Sequence, residues 1–289
     1  MERSQNKMFD KKTPLMSIVI PCWFTENQHG KYGKHETFWF AAECLLKLLE
    51  RTDREKFELI IIDNGSTLKD ADIELLRIER AENERVVNDY KLLPSEFWSK
   101  ADVLIRNKEN LGFGPSCEQG FALASGKYIV CLNNDIIVWK GWEDRLIDIL
   151  ENITLEIPPG ISMPALMKET EDANVALAME TIDLKKNYEA IGDHAEFGSL
   201  WMMKQSLKKE LMEKDGFIFD PKFRLGMGED RDLWDRVRDL GYETYRTHKT
   251  RVFHQGNMTI SKVPNRKEYT TENRKYLEEK RLNRAKKTE

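Results

Sequence analysis

Short apolar runs alternate along this chain with stretches of helical spacing, and most of the runs stop at a polar cluster. Ser17-Ile18-Val19-Ile20-Pro21 is a β-branched run that predicts a buried parallel strand. Phe57-Glu58-Leu59-Ile60-Ile61-Ile62 predicts a second, which stops at Asp63-Asn64-Gly65-Ser66. Between them Phe38, Ala41, Ala42, Leu45, Leu48 and Leu49 fall on one helical face, which makes a strand–helix–strand unit. The pattern then repeats with a helical stretch over 70–80, a strand over 103–105, a helix over 115–124 opened by Pro115, and a strand over 127–132 that runs into Asn133-Asn134-Asp135. Residues 157–160 read as a turn and 173–184 as strand-like or mixed. Leu233, Trp234, Val237 and Leu240 predict a helix over 230–240, capped by Gly241. Strands over 244–246 and 251–253 follow, the latter ended by His254. The expectation is an α/β fold: a Rossmann-like, mostly parallel sheet flanked by helices.

Composition narrows the class. The 289 residues are 40% hydrophobic and 33% charged, which fits a globular chain and excludes disordered and fibrous ones. A net charge of −4 gives no global positive field for coating nucleic acid. Cys22, Cys44, Cys117 and Cys131 form neither a C-x-x-C pair nor a zinc spacing, and so few thiols suit a reduced compartment. Residues 1–12 are polar and hold no apolar signal core, and no run reaches 18 apolar residues. The expected location is therefore cytoplasmic, with no transmembrane segment.

The chemistry-bearing residues cluster where strands end, the edge at which open α/β sheets take ligands. Asp63 and Asn64 follow one strand, and Asn133, Asn134 and Asp135 follow another. Asn110-Leu111-Gly112-Phe113-Gly114 precedes a helix, Gly228-Glu229-Asp230 opens a later one, and His254 closes a strand. Each has a plain structural reading as well. Asp-Asn-Gly is a turn signal, acidic residues favour a first helical turn, and a lone His often sits satisfied in a core. Gly33-Lys34 is followed by His35, so it is no phosphate-binding P-loop.

The ordered set, from the first strand's Ile-Pro through the "IIIDNGS", "N-x-G-F-G", "L-N-N-D" and "G-E-D-x-D-L-W-x-R" segments to the strand-end His, resembles family 2 glycosyltransferases of the GT-A fold over residues 17–257. That resemblance implies a metal-dependent, inverting transfer of sugar from a nucleotide-diphosphate sugar to an acceptor hydroxyl. It implies nucleotide-sugar contacts by Pro21, Asp63, Asn110, Gly112, Asn133, Asn134 and Trp201. It places Mn²⁺ or Mg²⁺ on Asp135 and His254, with Asp230 as general base and Glu229 on the acceptor. The family motif at residues 133–135 is commonly D-x-D; here only Asp135 carries charge, though a single carboxylate plus diphosphate oxygens suits either cation. The implied organisation is one domain over 1–260, with a nucleotide-sugar half at 17–140 and an acceptor and catalytic half at 141–260.

Residues 261–289 hold ten Lys/Arg against five Asp/Glu and read as a solvated, charged helical tail. Residues 22–35, with Trp23, Phe24 and Tyr32, read either as a loop over the ligand or as a surface excursion with a packed aromatic. The acceptor is expected to be a glycan, with a polyanion such as modified DNA as the alternative; the oligomeric state is left open. Two other functions fit an α/β sheet of this kind. One is a nucleotidyltransferase, although Pro21-Cys22-Trp23 stands where such enzymes carry a glycine-rich basic loop. The other is a non-catalytic nucleotide-sugar binder.

Overall fold

The computed structural model describes residues 2–5, 13–26, 28–30, 33–74, 92–166, 188–191, 198–254, 262–263 and 265–288. The mixed segment at 173–184, Tyr32, and the helical stretch past residue 74 lie outside them. The strands are β1 (Glu2–Gln5), β2 (Met16–Cys22), β3 (His29–Gly30), β4 (Gly33–Lys34), β5 (Phe57–Asp63), β6 (Val103–Arg106), β7 (Tyr128–Leu132), β8 (Ile136–Ile137), β9 (Pro159–Leu166), β10 (Tyr188–Ala190), β11 (Leu200–Lys204) and β12 (Glu243–His254). The helices are α1 (Glu36–Arg51), α2 (Pro94–Trp98), α3 (Phe113–Leu123), α4 (Trp142–Asn152), α5 (Gln205–Asp215), α6 (Glu229–Arg238) and α7 (Arg266–Thr288). No described helix is long and apolar enough to cross a membrane.

Ten strands form one mixed sheet in the order β1-β6-β5-β2-β7-β11-β9-β12-β10, with β8 paired to β12 off that path. The block β6-β5-β2-β7 is parallel, as the strand–helix–strand pattern requires. Beyond it β11 runs antiparallel to both β7 and β9, and β12 returns parallel to β9.

The central strands are buried on both faces, which is why they read as continuous apolar runs rather than alternating ones. Their side chains still alternate in direction. Ile18, Ile20, Leu59, Ile61, Val130 and Leu132 face one layer with α1, α2 and α4. Val19, Ile60, Ile62, Ile129 and Cys131 face the other, with α3, α5 and α6. At about 1.5–3 kcal/mol for each large aliphatic side chain buried, these two layers hold the sheet rigid enough to present its strand ends in fixed positions.

At the start of the 22–35 segment two neighbouring aromatics take different settings. Phe24 is buried against Phe38, Phe97 and Trp98 at ring separations of 5.2, 5.4 and 5.3 Å. Trp23 faces the cavity described below.

The charged tail is a helix, as expected, but one face of it is docked on the protein rather than solvated. Asn273 and Leu277 of α7 are buried. Lys280 bridges Asp220 and Asp232 at 2.6 and 2.7 Å, Arg281 reaches Asp235 at 2.8 Å, and Arg284 reaches Asp232 at 3.1 Å. The helix packs along α6 because its residues 269, 273, 276, 277, 280 and 284 share one face at helical spacing.

Candidate active site

A cavity of about 290 Å³ opens where the carboxyl ends of β2, β5 and β7 meet the amino end of α6. Its wall includes Pro21, Asn110, Asn133, Asn134, Asp135, Glu229, Asp230 and His254, so eight of the eleven residues expected from the sequence converge on one space.

Asp135 and His254 meet because β8 pairs antiparallel with the end of β12, Ile136 opposite His254. Asp135 Oδ1 and His254 Nε2 lie 3.3 Å apart. Two donors each about 2.1 Å from one cation, at right angles to it, would be separated by about 3.0 Å, so this pair fits adjacent positions on a small divalent ion. Asn133 adds a buried side-chain oxygen with no hydrogen-bond partner. Oxygen with one imidazole suits Mn²⁺ or Mg²⁺, and more so Mn²⁺. Among the described residues no three His, Cys, Asp or Glu side chains gather to form a full cage.

Glu229 and Asp230 open α6, where unpaired backbone N–H groups and the helix dipole favour acidic side chains. Both are buried. Asp230 Oδ2 accepts the Gly198 N–H at 3.1 Å, while Asp230 Oδ1 and Glu229 Oε2 are buried without partners. Loss of water raises both carboxyl pKa values, and for Glu229 the adjacent Asp230 charge adds to it; Gly198 and Arg231 pull Asp230 back only in part. Adjacent buried carboxyls of this kind hold a proton more readily than exposed ones and can take one from a bound hydroxyl.

The other expected residues stand back from the cavity. Asp63 is buried behind its neighbour Asn64, with Oδ1 accepting the Ser66 N–H at 2.9 Å and Oδ2 facing Arg106 at 2.7 Å. Burial pushes its carboxyl pKa up, against the pull of Ser66 and Arg106. Asn64, not Asp63, lines the cavity at that strand end. Asn64 also holds the next loop: its Nδ2 donates to Asn110 Oδ1 at 2.7 Å and its Oδ1 accepts the Leu111 N–H at 3.0 Å.

Trp201 corrects the sequence reading. It is fully buried, packed against Phe121, Phe219 and Trp234, and the cavity is lined instead by Gly198 and Ser199 just before its strand. Trp201 lies opposite Cys131, one residue in from the strand end, and on that face the side chains of α3 and α6 cover it.

Gly112 backs the wall rather than lining it. Its φ is +95°, and a Cβ there would lie 2.8 Å from the Leu225 Cα. With ψ at 171°, it occupies a region that essentially only glycine adopts. Gly112→Ala is expected to cost about 2–3 kcal/mol. Chemical denaturation checks this, and a loss below about 0.5 kcal/mol would mean that the two loops are not in contact.

The sequence reading missed Leu225, Gly226 and Met227, which form the wall ahead of Glu229. Residues 225–228 all have positive φ, at 60°, 116°, 80° and 116°. The glycines in Leu-Gly-Met-Gly were the available signal, but the two non-glycine residues were not predictable from it.

In sequence and in fold the chain is similar to glycosyltransferases. Residues 99–212 match the model of Glycosyl transferase family 2, a span that takes in Asn110, Gly112 and Asp135 and stops before Glu229. An uncharacterized glycosyltransferase of Haemophilus influenzae is 24% identical over 266 residues, covering 86% of this chain and 72% of that protein. The structure of GalNAc-T7 with UDP, GalNAc and Mn²⁺ superposes with a TM-score of 0.52 at 16% identity, over 85% of this chain. A mannosyltransferase from Pyrobaculum calidifontis, in complex with GDP-Man and Mn²⁺, gives 0.49 at 17% identity over 86% of this chain. This chain spans only 44% and 60% of the lengths of those two.

Proposed function

We propose that the chain is a family 2 glycosyltransferase on a GT-A fold, a metal-dependent, inverting enzyme that moves a sugar from a nucleotide-diphosphate sugar to an acceptor hydroxyl. The observation that supports this most is the pairing of two functions in one cavity: Asp135 with His254 on one wall, and Glu229 with Asp230 on another. The nucleotide sugar lies against Pro21, Asn64, Asn110, Asn133 and Asn134, with Asp63 and Gly112 shaping that wall from behind.

Asp135, His254 and the Asn133 side-chain oxygen are the residues that would hold Mn²⁺ or Mg²⁺. The cation would stabilise the charge that develops on the departing diphosphate. The chain's own contribution is to place the acceptor. Asp230, with Oδ1 unpartnered, accepts the acceptor hydroxyl's proton as that oxygen bonds to the anomeric carbon and the bond to the diphosphate oxygen breaks. Attack from the face opposite the leaving group inverts the anomeric centre. Glu229 receives a second acceptor hydroxyl. A glycan is the acceptor this cavity suits best, since Phe113, Leu225 and Met227 offer apolar surface to the C–H faces of a sugar. A polyanionic acceptor is less favoured, because Lys280, Arg281 and Arg284 of the basic tail are already paired within the protein.

Thermal-shift measurements with UDP-, GDP-, dTDP- and CMP-sugars, each with and without Mn²⁺, test the reading. One donor is expected to raise the melting midpoint, by the equivalent of about 2.7 kcal/mol at about 100-fold over its Kd. Asp135→Ala is expected to abolish the Mn²⁺-dependent part of that shift. No shift with any donor would refute the proposal, and release of pyrophosphate from a nucleoside triphosphate would favour nucleotidyl transfer in its place.

A further inference from the structure

We propose that Asn273, on the C-terminal helix α7, is a positioning residue for the active site: its side-chain amide holds residues 225–228 in their left-handed course and so shapes the wall next to Glu229 and Asp230. Four consecutive positive φ angles leave backbone carbonyls that no helix or sheet can satisfy. Asn273 Nδ2 donates to the carbonyls of Arg224 at 2.9 Å and Gly226 at 2.8 Å, and its Oδ1 accepts the Arg224 N–H at 3.2 Å. Asn273 is only 2% exposed, so water cannot replace it.

The surrounding contacts converge on the same task. Tyr276, one turn on, packs its ring against Phe223 at 5.1 Å and donates from its hydroxyl to Asp220 at 2.9 Å. Arg224 lies over the Tyr269 ring at 4.7 Å. One face of α7 therefore grips the chain at Asp220, Phe223, Arg224 and Gly226. On the far side the segment ends at Gly228, the residue that caps α6 directly before Glu229 and Asp230. Movement of the loop is thus passed to the two carboxyls. The donor wall is held separately, by Asn64 and Asn110, and meets Leu225 at Gly112. Loss of the clamp should therefore slow transfer more than it weakens donor binding.

The kinetic consequence rests on the proposed glycosyl transfer; the structural one does not. The experiment uses Asn273→Ala and the isosteric Asn273→Asp, whose carboxylate turns an acceptor toward two carbonyls. Hydrogen exchange of amides in residues 224–228 is expected to quicken at least about tenfold in both, with β7 amides unchanged. With the donor found by thermal shift, kcat is expected to fall about tenfold or more while the donor KM moves less than about threefold. Asn273→Asp keeps the test open should the alanine variant fail to fold. Unchanged exchange at 224–228, or quickening of loop and β7 together as global unfolding would give, overturns the proposal. So does equal loss in kcat and donor affinity. A parent enzyme that transfers no sugar would sink the functional reading alone, and the exchange result would still decide the clamp.

Discussion

Asp230→Asn is expected to lower sugar transfer by about 10³-fold while making the protein more stable at alkaline pH. The amide keeps the size of the carboxylate and its oxygen can still accept the Gly198 N–H, so the cavity keeps its shape. What it loses is the ability to take a proton, a deficit worth about 4 kcal/mol in the barrier for a 10³-fold effect. The stability gain follows from linkage. Burial raises the folded-state pKa of Asp230 above its unfolded value, so over that interval the native chain binds more protons than the unfolded one. The stability this group contributes is full below the ordinary carboxylate range and is lost as pH rises through the raised range. Asparagine does not titrate and suffers no such loss. Melting midpoints of parent and variant should therefore converge at acid pH and separate above neutrality, with the variant higher. Turnover above about a tenth of the parent's would remove Asp230 from the role of base and turn attention to Glu229.

The same pair shows how far the sequence could be read. Acidic residues opening a helix were visible in Gly-Glu-Asp, and so was the α6 face of Leu233, Trp234 and Val237. The parallel block was visible because strands buried on both faces leave continuous apolar runs, and two of them, β5 and β7, end at polar residues that line the cavity. Three features were not legible from spacing and composition, each for its own reason, although the family resemblance already implied the first. The contact of His254 with Asp135 depends on the short β8 pairing with the end of β12, a register that spans more than a hundred residues of chain. Trp201 stands where the resemblance implies a sugar contact, yet one residue in from the strand end it is covered by Phe121, Phe219 and Trp234. The helix α7 was read from its net charge alone. Its buried face of Asn273 and Leu277 is too polar and too narrow to stand out against ten cations.

Asp232→Ala is expected to destabilise the protein by about 3–5 kcal/mol, the largest loss among the substitutions considered, whereas Arg281→Ala should cost less than about 1 kcal/mol. Asp232 is fully buried one helical turn into α6 and faces three cations: Arg236 Nε at 2.8 Å, Lys280 Nζ at 2.7 Å and Arg284 Nη2 at 3.1 Å. Compared with a well-packed apolar cluster, such a group gains little, because desolvation offsets most of the attraction. Removing one member is a different matter. Arg236 is itself buried and keeps only Asp215 at 3.3 Å and the carbonyls of Phe217 and Ile218, so its charge is left short of compensation. Lys280 retains Asp220, but the tie between α7 and α6 is cut at its centre. Arg281 has a side chain 40% exposed and shares Asp235 with Arg284 and Arg238, so water and its neighbours make up most of what its loss removes. Urea denaturation of the two variants gives the comparison directly. Equal losses would mean that α7 is held by its surface charges, and with that the coupling of the tail to residues 225–228 would lose its anchor. A large loss confined to Asp232→Ala would show that the charge pattern of the tail is selected for docking on α6, and that its net positive charge is a by-product of pairing with an acidic helix.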